Sequence, residues 1–297
     1  MKFGTNVYKF TQYGEDLAGT VEFIKTAEDL GFHHVRFLDH VVGIIAERHG
    51  GIMQTPYTSQ SYIHEVFTFM AYLAGQTKRI RFVTGVLILP QRPTLLVAKQ
   101  AAEVDILSGG RLTLGVGVGY NPIEFRAMGG NFADRGQVFE EQVEVLRLLW
   151  TKEDVTYKGR FHDIQDSCLA PLPVQRPIPL WFGFGRRITP IPPDKVLRRA
   201  GRLADGCLPQ WLPGDPAARI ALGKIHAAAR EAGRNPDDLT VEMSIYADGK
   251  DKAELIDEVK RTRDFGAHQI HIRWDGLKSV KENIEAIKRF REVMDAF

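Results

Sequence analysis

The run Ile80–Tyr120, IRFVTGVLILPQRPTLLVAKQAAEVDILSGGRLTLGVGVGY, holds a complete strand–helix–strand unit. Ile80–Leu87 is dense in β-branched and apolar residues, as expected of a strand covered on both faces. Pro93 opens a helix that runs to Leu107, and Gly109-Gly110 closes it. Arg111–Val118 supplies a second buried strand. Two buried strands joined through a helix are parallel neighbours, because antiparallel partners need only a hairpin.

The same rhythm extends in both directions. Upstream, Lys2–Tyr8 reads as a strand. Asp16–Leu30 reads as a helix, with Leu17, Val21, Ile24, Ala27 and Leu30 at helical spacing and Gly31 as its stop. His34–Leu38 reads as a strand and Ser59–Thr77 as a helix. Downstream, Asp134–Trp150 is a helix, and Thr151–Arg176 interrupts the pattern with Tyr157, Gly159, Phe161, Pro171 and Pro173. Four more pairs follow: strand Pro179–Phe184 with helix Pro193–Leu203, Asp205–Pro209 with Asp215–Ala232, Leu239–Tyr246 with Lys252–Phe265, and His268–Arg273 with Ser279–Asp295.

Eight strand–helix units in 297 residues predict an α/β chain of the closed (β/α)8 TIM-barrel type. It is read as a single domain over residues 1–297, with an inserted segment after helix 4 at about 151–176. A doubly wound open sheet is the competing topology.

Composition narrows the function classes. The chain is 44% hydrophobic and 26% charged, and 39 basic against 37 acidic residues leave +2. That balance argues against broad electrostatic binding of nucleic acid or an anionic membrane. Cys168 and Cys207 lack CxxC spacing and suit a reducing compartment. The start of the chain has no long apolar stretch after a basic segment, and Val83–Leu89 is too short to cross a bilayer. A soluble cytoplasmic protein is expected.

A barrel of this kind places its chemistry at the C-terminal ends of the strands. There the sequence offers Asp39-His40, Gly85-Val86, Gly117–Asn121, Gly183–Arg187, Gln210-Trp211 and Arg273-Trp274. His40 is the histidine among these ends and is suited to exchanging a proton near neutrality. Asp39 could orient it or contact a ligand. His33 and His34, at the opposite end of that strand, read as structural.

Gly115, Gly117 and Gly119 form GxGxG, but Tyr120 breaks the dinucleotide pattern GxGxxG. Either these glycines let a flat ring approach the backbone or they serve packing. Gly183-Phe184-Gly185-Arg186-Arg187 is an anion-site candidate, with a solvated basic loop as the alternative. His268 and His271 lie on opposite faces of a strand and cannot share a metal. GxSxG, HExxH and P-loop motifs are absent, which removes support for the corresponding hydrolases and nucleotidases.

Longer motifs carry a family resemblance. TGVLILPQRPTLLVAKQAAEVDILSGGRLTLGVGVGYNPIEF and RGQVFEEQVEVLRLLW resemble the luciferase-like monooxygenase superfamily, in its coenzyme F420-dependent oxidoreductase branch. FLDHVVG at Phe37–Gly43, PLPVQRPIPLWFGFG at Pro171–Gly185 and LADGCLPQW at Leu203–Trp211 add to it, so the resemblance spans essentially the whole chain. It implies a barrel that is usually dimeric, with an isoalloxazine or deazaflavin ring over its mouth. It also implies a non-prolyl cis peptide at Gly85–Val86 under that ring, His40 at the ring with Asp39 beside it, and a phosphate site at Gly183, Phe184 and Gly185.

Two departures from the family pattern stand out. Tyr120 occupies the place of a glutamate found in the sugar-phosphate dehydrogenases, and GFGRR replaces a Gly-Gly-x-Ser. Arg186 or Arg187 could compensate for the lost hydroxyl.

The expectation is therefore an F420-dependent oxidoreductase moving a hydride between the deazaflavin and a small organic substrate. His40 is its proton-handling residue. Cofactor contacts are expected from Asp39, Gly85, Val86, Gly117, Gly119, Tyr120, Asn121, Gly183, Phe184, Gly185, Arg186 and Arg187, with no metal. Phe10, Trp211 and Trp274 would wall the substrate pocket, and Val41–Tyr62 would close over it. One alternative is an FMN-dependent monooxygenase using oxygen. Another is a catalytically idle flavin-binding barrel, which the missing carboxylate at Tyr120 would favour. A homodimer is expected.

Overall fold

The computed structural model describes residues 1–7, 16–49, 57–185 and 189–297. In chain order the first elements are β1 (Lys2–Asn6), α1 (Leu17–Asp29), β2 (His34–Phe37), α2 (Val66–Ala74), β3 (Arg81–Thr84), β4 (Leu87–Ile88), α3 (Thr94–Ser108), β5 (Leu112–Gly117), α4 (Pro122–Ala127) and α5 (Arg135–Thr151). They continue with β6 (Val155–Lys158), β7 (Asp163–Ser167), β8 (Leu180–Phe184), α6 (Asp194–Leu203), β9 (Gly206–Pro209), α7 (Pro216–Glu231), β10 (Thr240–Tyr246), α8 (Lys252–Phe265), β11 (Gln269–Arg273) and α9 (Val280–Met294).

The main sheet runs β3-β2-β1-β11-β10-β9-β8-β5-β4 and closes through β3–β5 pairing. All its ladders are parallel. Because β3 and β4 are two halves of one stave, the barrel has eight strands, as the sequence rhythm predicts. The open doubly wound alternative is excluded. The insertion after α5 is an antiparallel hairpin of β6 and β7.

The helices start and stop where local chemistry dictates. Asp16 caps α1 by accepting from the Gly19 N–H. Asp251 and Ser279 each form a capping box, with Glu254 and Glu282. Gly109 and Gly266 end α3 and α8 in the left-handed conformation. The predicted helix Ser59–Thr77 begins only at Val66, because Glu65 supplies its cap by accepting from the Thr68 N–H. The six-residue α4 was not anticipated; Asn121 caps it and Pro122 fills its first turn.

Strand alternation sorts the barrel's two surfaces. Outward residues such as Phe37, Phe82, Phe182 and Ile272 join the helices in one large core. Val83, Trp181 and Leu208 form a separate small cluster in the barrel interior, with Val86 packed on top. Among the described residues, no helix is long and apolar enough to cross a membrane.

Candidate active site

Strand three is where the barrel departs from regularity. β3 pairs Phe82 with Leu112 and Val83 with Thr113, whereas β4 pairs Leu87 with Val116 and Ile88 with Gly117. The offset falls from thirty to twenty-nine, so one extra residue is accommodated at Thr84–Val86, a bulge. The Gly85–Val86 peptide within it is cis, as the resemblance implies.

The glycines facing this bulge make room for it. A Cβ on Gly115 would sit 1.9 Å from the Thr84 carbonyl oxygen. On Gly117 and Gly183 it would sit 2.8 and 2.4 Å from the Val86 methyls. Of the two readings of GxGxG, packing accounts for Gly115 and Gly117. Gly119, at φ +73, fits against Ile88 and Phe125.

His40 follows β2 and is largely buried at the mouth. Its Nδ1 lies 3.0 Å from Oε1 and 3.3 Å from Oε2 of Glu124, whose side chain is fully buried. Nδ1–H donating to that carboxylate leaves Nε2 as the nitrogen available to a ligand. The Tyr57 ring lies against the imidazole at 4.4 Å between centroids, and Tyr120 approaches edge-on at 6.3 Å. Glu124 is the functional residue that sequence reading passed over. It places a carboxylate against His40 four residues after Tyr120.

Asp39 has a different role from the cofactor contact expected of it. Its Oδ1 is 2.6 Å from Arg92 Nη2, and its Oδ2 accepts from the Ile88 backbone N–H at 3.0 Å and from Arg92 Nε at 3.3 Å. Both oxygens are thus committed to holding the far side of the bulge. Burial works against the Arg92 charge, yet Asp39 and then Glu65 hold its pKa above the usual value. Asn121 is likewise committed, since its Oδ1 accepts from the Ile123 and Glu124 N–H groups and so sets the start of α4.

The expected aromatic walls are also placed elsewhere. Trp211 alternates with inward Leu208 and packs in the outer core, against Phe184 at 5.6 Å and Phe265 at 6.3 Å. Trp274 lies against Phe290 of α9 at 6.1 Å. Neither ring faces the barrel interior. Phe10, Arg186 and Arg187 lie outside the described residues, as does part of the proposed lid. Gly183 and Phe184 are ladder residues paired with Leu208 and Pro209. Gly185, at φ +80, turns the chain past Pro190, where a Cβ would sit 2.3 Å from the carbonyl oxygen.

The interior divides into two halves. Facing β3, β5, β8 and β9 it is lined by Val83, Val86, Trp181, Leu208 and glycines. Facing β2, β10 and β11 it is polar, with His34, Arg36, Glu242 and His271 buried together and half-buried Ser244 beside them. His34 Nε2 is 2.5 Å from Glu242 Oε2, and Arg36 Nη1 is 3.3 Å from Glu242 Oε1. Burial raises the Glu242 pKa, but His34 and Arg36 outweigh it and hold the carboxyl below its ordinary range. Burial, followed by the charges of Arg36, Arg273 and His34, pushes His271 well below the usual histidine value. Among the described residues no cluster of three or more His, Cys, Asp or Glu could hold a metal.

A ring cofactor with an anionic tail needs a flat apolar surface, a proton-exchanging edge and a cation for the tail. Val86 over its apolar cluster supplies the first and His40 the second. For the third, Arg135 at the start of α5 has a buried Nε without a hydrogen-bond partner. Burial and the neighbouring Arg199 both disfavour its charge. Those residues fit such a group.

Comparison with known proteins agrees with this architecture. Residues 1–289 match the family profile described as luciferase-like monooxygenase. An uncharacterised protein of Mycobacterium tuberculosis is 36% identical over 211 residues, covering 69% of this chain and 66% of that one, just under two thirds of its length. The monooxygenase RslO1 of Streptomyces bottropensis superposes with a TM-score of 0.79 at 23% identity, over 100% of this chain and 99% of that one. An F420-dependent secondary alcohol dehydrogenase, solved with an F420–acetone adduct, also gives 0.79, at 19% identity over 99% and 98% of the two chains.

Proposed function

The chain belongs to the luciferase-like monooxygenase family, and from that premise we propose that it is an F420-dependent oxidoreductase acting on a small organic substrate. The observation that carries this reading is the His40–Glu124 pair beside the bulge of strand three. A hydride moved to or from carbon at a carbonyl or alcohol must be matched by a proton on oxygen. An imidazole anchored through Nδ1 to a buried carboxylate presents Nε2 for that proton.

Bound deazaflavin would supply the hydride chemistry. The chain's own residues do the rest. Gly85 and Val86 would support one face of the ring, with Val83, Trp181 and Leu208 stiffening the floor. Arg135 and the turn at Gly185 would hold the phosphate end. Glu124 keeps His40 oriented. Tyr57 and Tyr120 flank the imidazole and keep water from it.

A second reading is an FMN-dependent monooxygenase; the likeness to the monooxygenase RslO1 supports its monooxygenase part. Titration of the purified chain with F420 and with FMN separates the two. Tight F420 binding with weak FMN binding supports the first reading; FMN binding alone overturns it, and oxygen uptake with reduced FMN establishes the second.

A homodimer is part of the same proposal. It is supported by the exposed apolar side chains Tyr72 on α2 and Leu95 and Leu96 on α3. Sedimentation at a monomer mass would contradict it.

A further inference from the structure

Arg36 is an inward residue of β2 whose side chain is 8% exposed. Its guanidinium carries five N–H donors. Nη1 serves Ser244 Oγ at 3.3 Å and Glu242 Oε1 at 3.3 Å. Among the described residues, Nε and Nη2 have no acceptor. Nε–H and one Nη2–H share an edge, so a two-donor edge of a side chain only 8% exposed has no protein partner among them.

That edge looks at the bulge. A Cβ on Gly85 would fall 2.7 Å from Nε and 3.2 Å from Nη2. Glycine at this position keeps the fork uncovered. Pairing with Glu242 explains a cation here but not a guanidinium, since Nη1 alone makes that contact and a lysine amine would serve. The second cation of this polar half is Arg273, which is tied to Asp275. Glu242 is already shared by His34 and Arg36. The Nε–Nη2 edge matches a planar group with two adjacent acceptors.

We propose that Arg36 is a ligand-binding fork that receives, at Gly85, a planar group with two adjacent acceptors. That group is either a carboxylate of the substrate or the pyrimidine edge of the ring cofactor. The ring source rests on the functional reading above; the carboxylate source does not.

The test compares wild type with Arg36→Lys, which keeps the charge beside Glu242 and removes the fork. Dissociation constants are measured calorimetrically for three probes: sodium benzoate, F420 and FMN. A rise of about tenfold or more for benzoate alone supports the substrate source, and the same rise for a cofactor alone supports the ring source. Unchanged constants for every probe that binds wild type overturn the proposal, as does failure of all three to bind. If neither F420 nor FMN binds wild type, the functional reading fails and benzoate alone decides this one. Should Arg36→Lys not fold, Gly85→Ala covers the same edge and must produce the same loss.

Discussion

His40 Nδ1 lies 3.0 Å from the buried carboxylate of Glu124, although eighty-four positions separate them in sequence. This contact makes Glu124 a positioning residue, acting on the reaction through the imidazole. Glu124→Gln keeps one acceptor for Nδ1–H but replaces the second carboxylate oxygen with a donor, which loosens the hold on the ring. We expect kcat to fall by about tenfold to hundredfold with KM within a few-fold, and His40→Ala to cost more, within the roughly 10²–10⁴ range of general acid–base catalysis. Steady-state kinetics with either reduced cofactor checks this. Equal losses in KM and kcat would assign Glu124 to ligand binding instead.

The Asp39–Arg92 contact predicts a stability effect. Both side chains are buried, and Asp39 also accepts from the Ile88 backbone N–H. Asp39→Ala strands the guanidinium and frees that N–H, at a cost of about 3–5 kcal/mol. Urea unfolding measures it. A loss below about 1 kcal/mol would mean that Glu65 alone suffices to hold Arg92.

The eight-unit plan was legible because covered parallel strands read as continuous apolar runs, and because Gly31, Gly109 and Gly266 mark helix ends. His40 was legible because it directly follows a strand. Glu124 was not, since its partner is distant in sequence and α4 is too short to show a helical period; the Asn121-Pro122 pair was the available signal. Trp211 and Trp274 were assigned to the pocket by their position near strand ends. Which side they face follows from period two: Leu208 and His271 point inward, so Trp211 and Trp274 point outward. The same alternation in HVRFL, applied to His34 and Arg36, would have revealed the polar half of the interior.

Val86 and Gly183 form a tight steric pair, with 2.4 Å between a built Cβ and the nearer valine methyl. Gly183→Ala should destabilise the fold by about 1–3 kcal/mol through overpacking. Adding Val86→Ala removes the obstructing methyls, so the double variant should recover part of that loss. A double-mutant cycle gives the coupling, expected at about 0.5–3 kcal/mol. Additive losses would show that the backbone of β8, rather than Val86, resists the new side chain.

His271 sets a pH dependence whose sign follows from its burial. Folding holds it well below the ordinary histidine value, with burial as the main cause. In the unfolded chain it titrates near 6.5. Below that pH the unfolded state binds a proton that the folded state refuses, so this contribution to stability is complete above about 6.5 and is lost as pH falls. The loss approaches about 1.4 kcal/mol per pH unit. Glu242, whose pKa is held below the ordinary carboxylate value, acts only in a lower window. Between pH 7.5 and 5.5, His271→Gln should therefore lose about 1.4 kcal/mol less than wild type in urea-unfolding free energy. His33, lowered to about 3 by burial and by the charges of His34, Lys2 and Arg81, leaves a residual slope in both proteins. Parallel curves for the two proteins would mean that the His271 ring takes up its proton while folded.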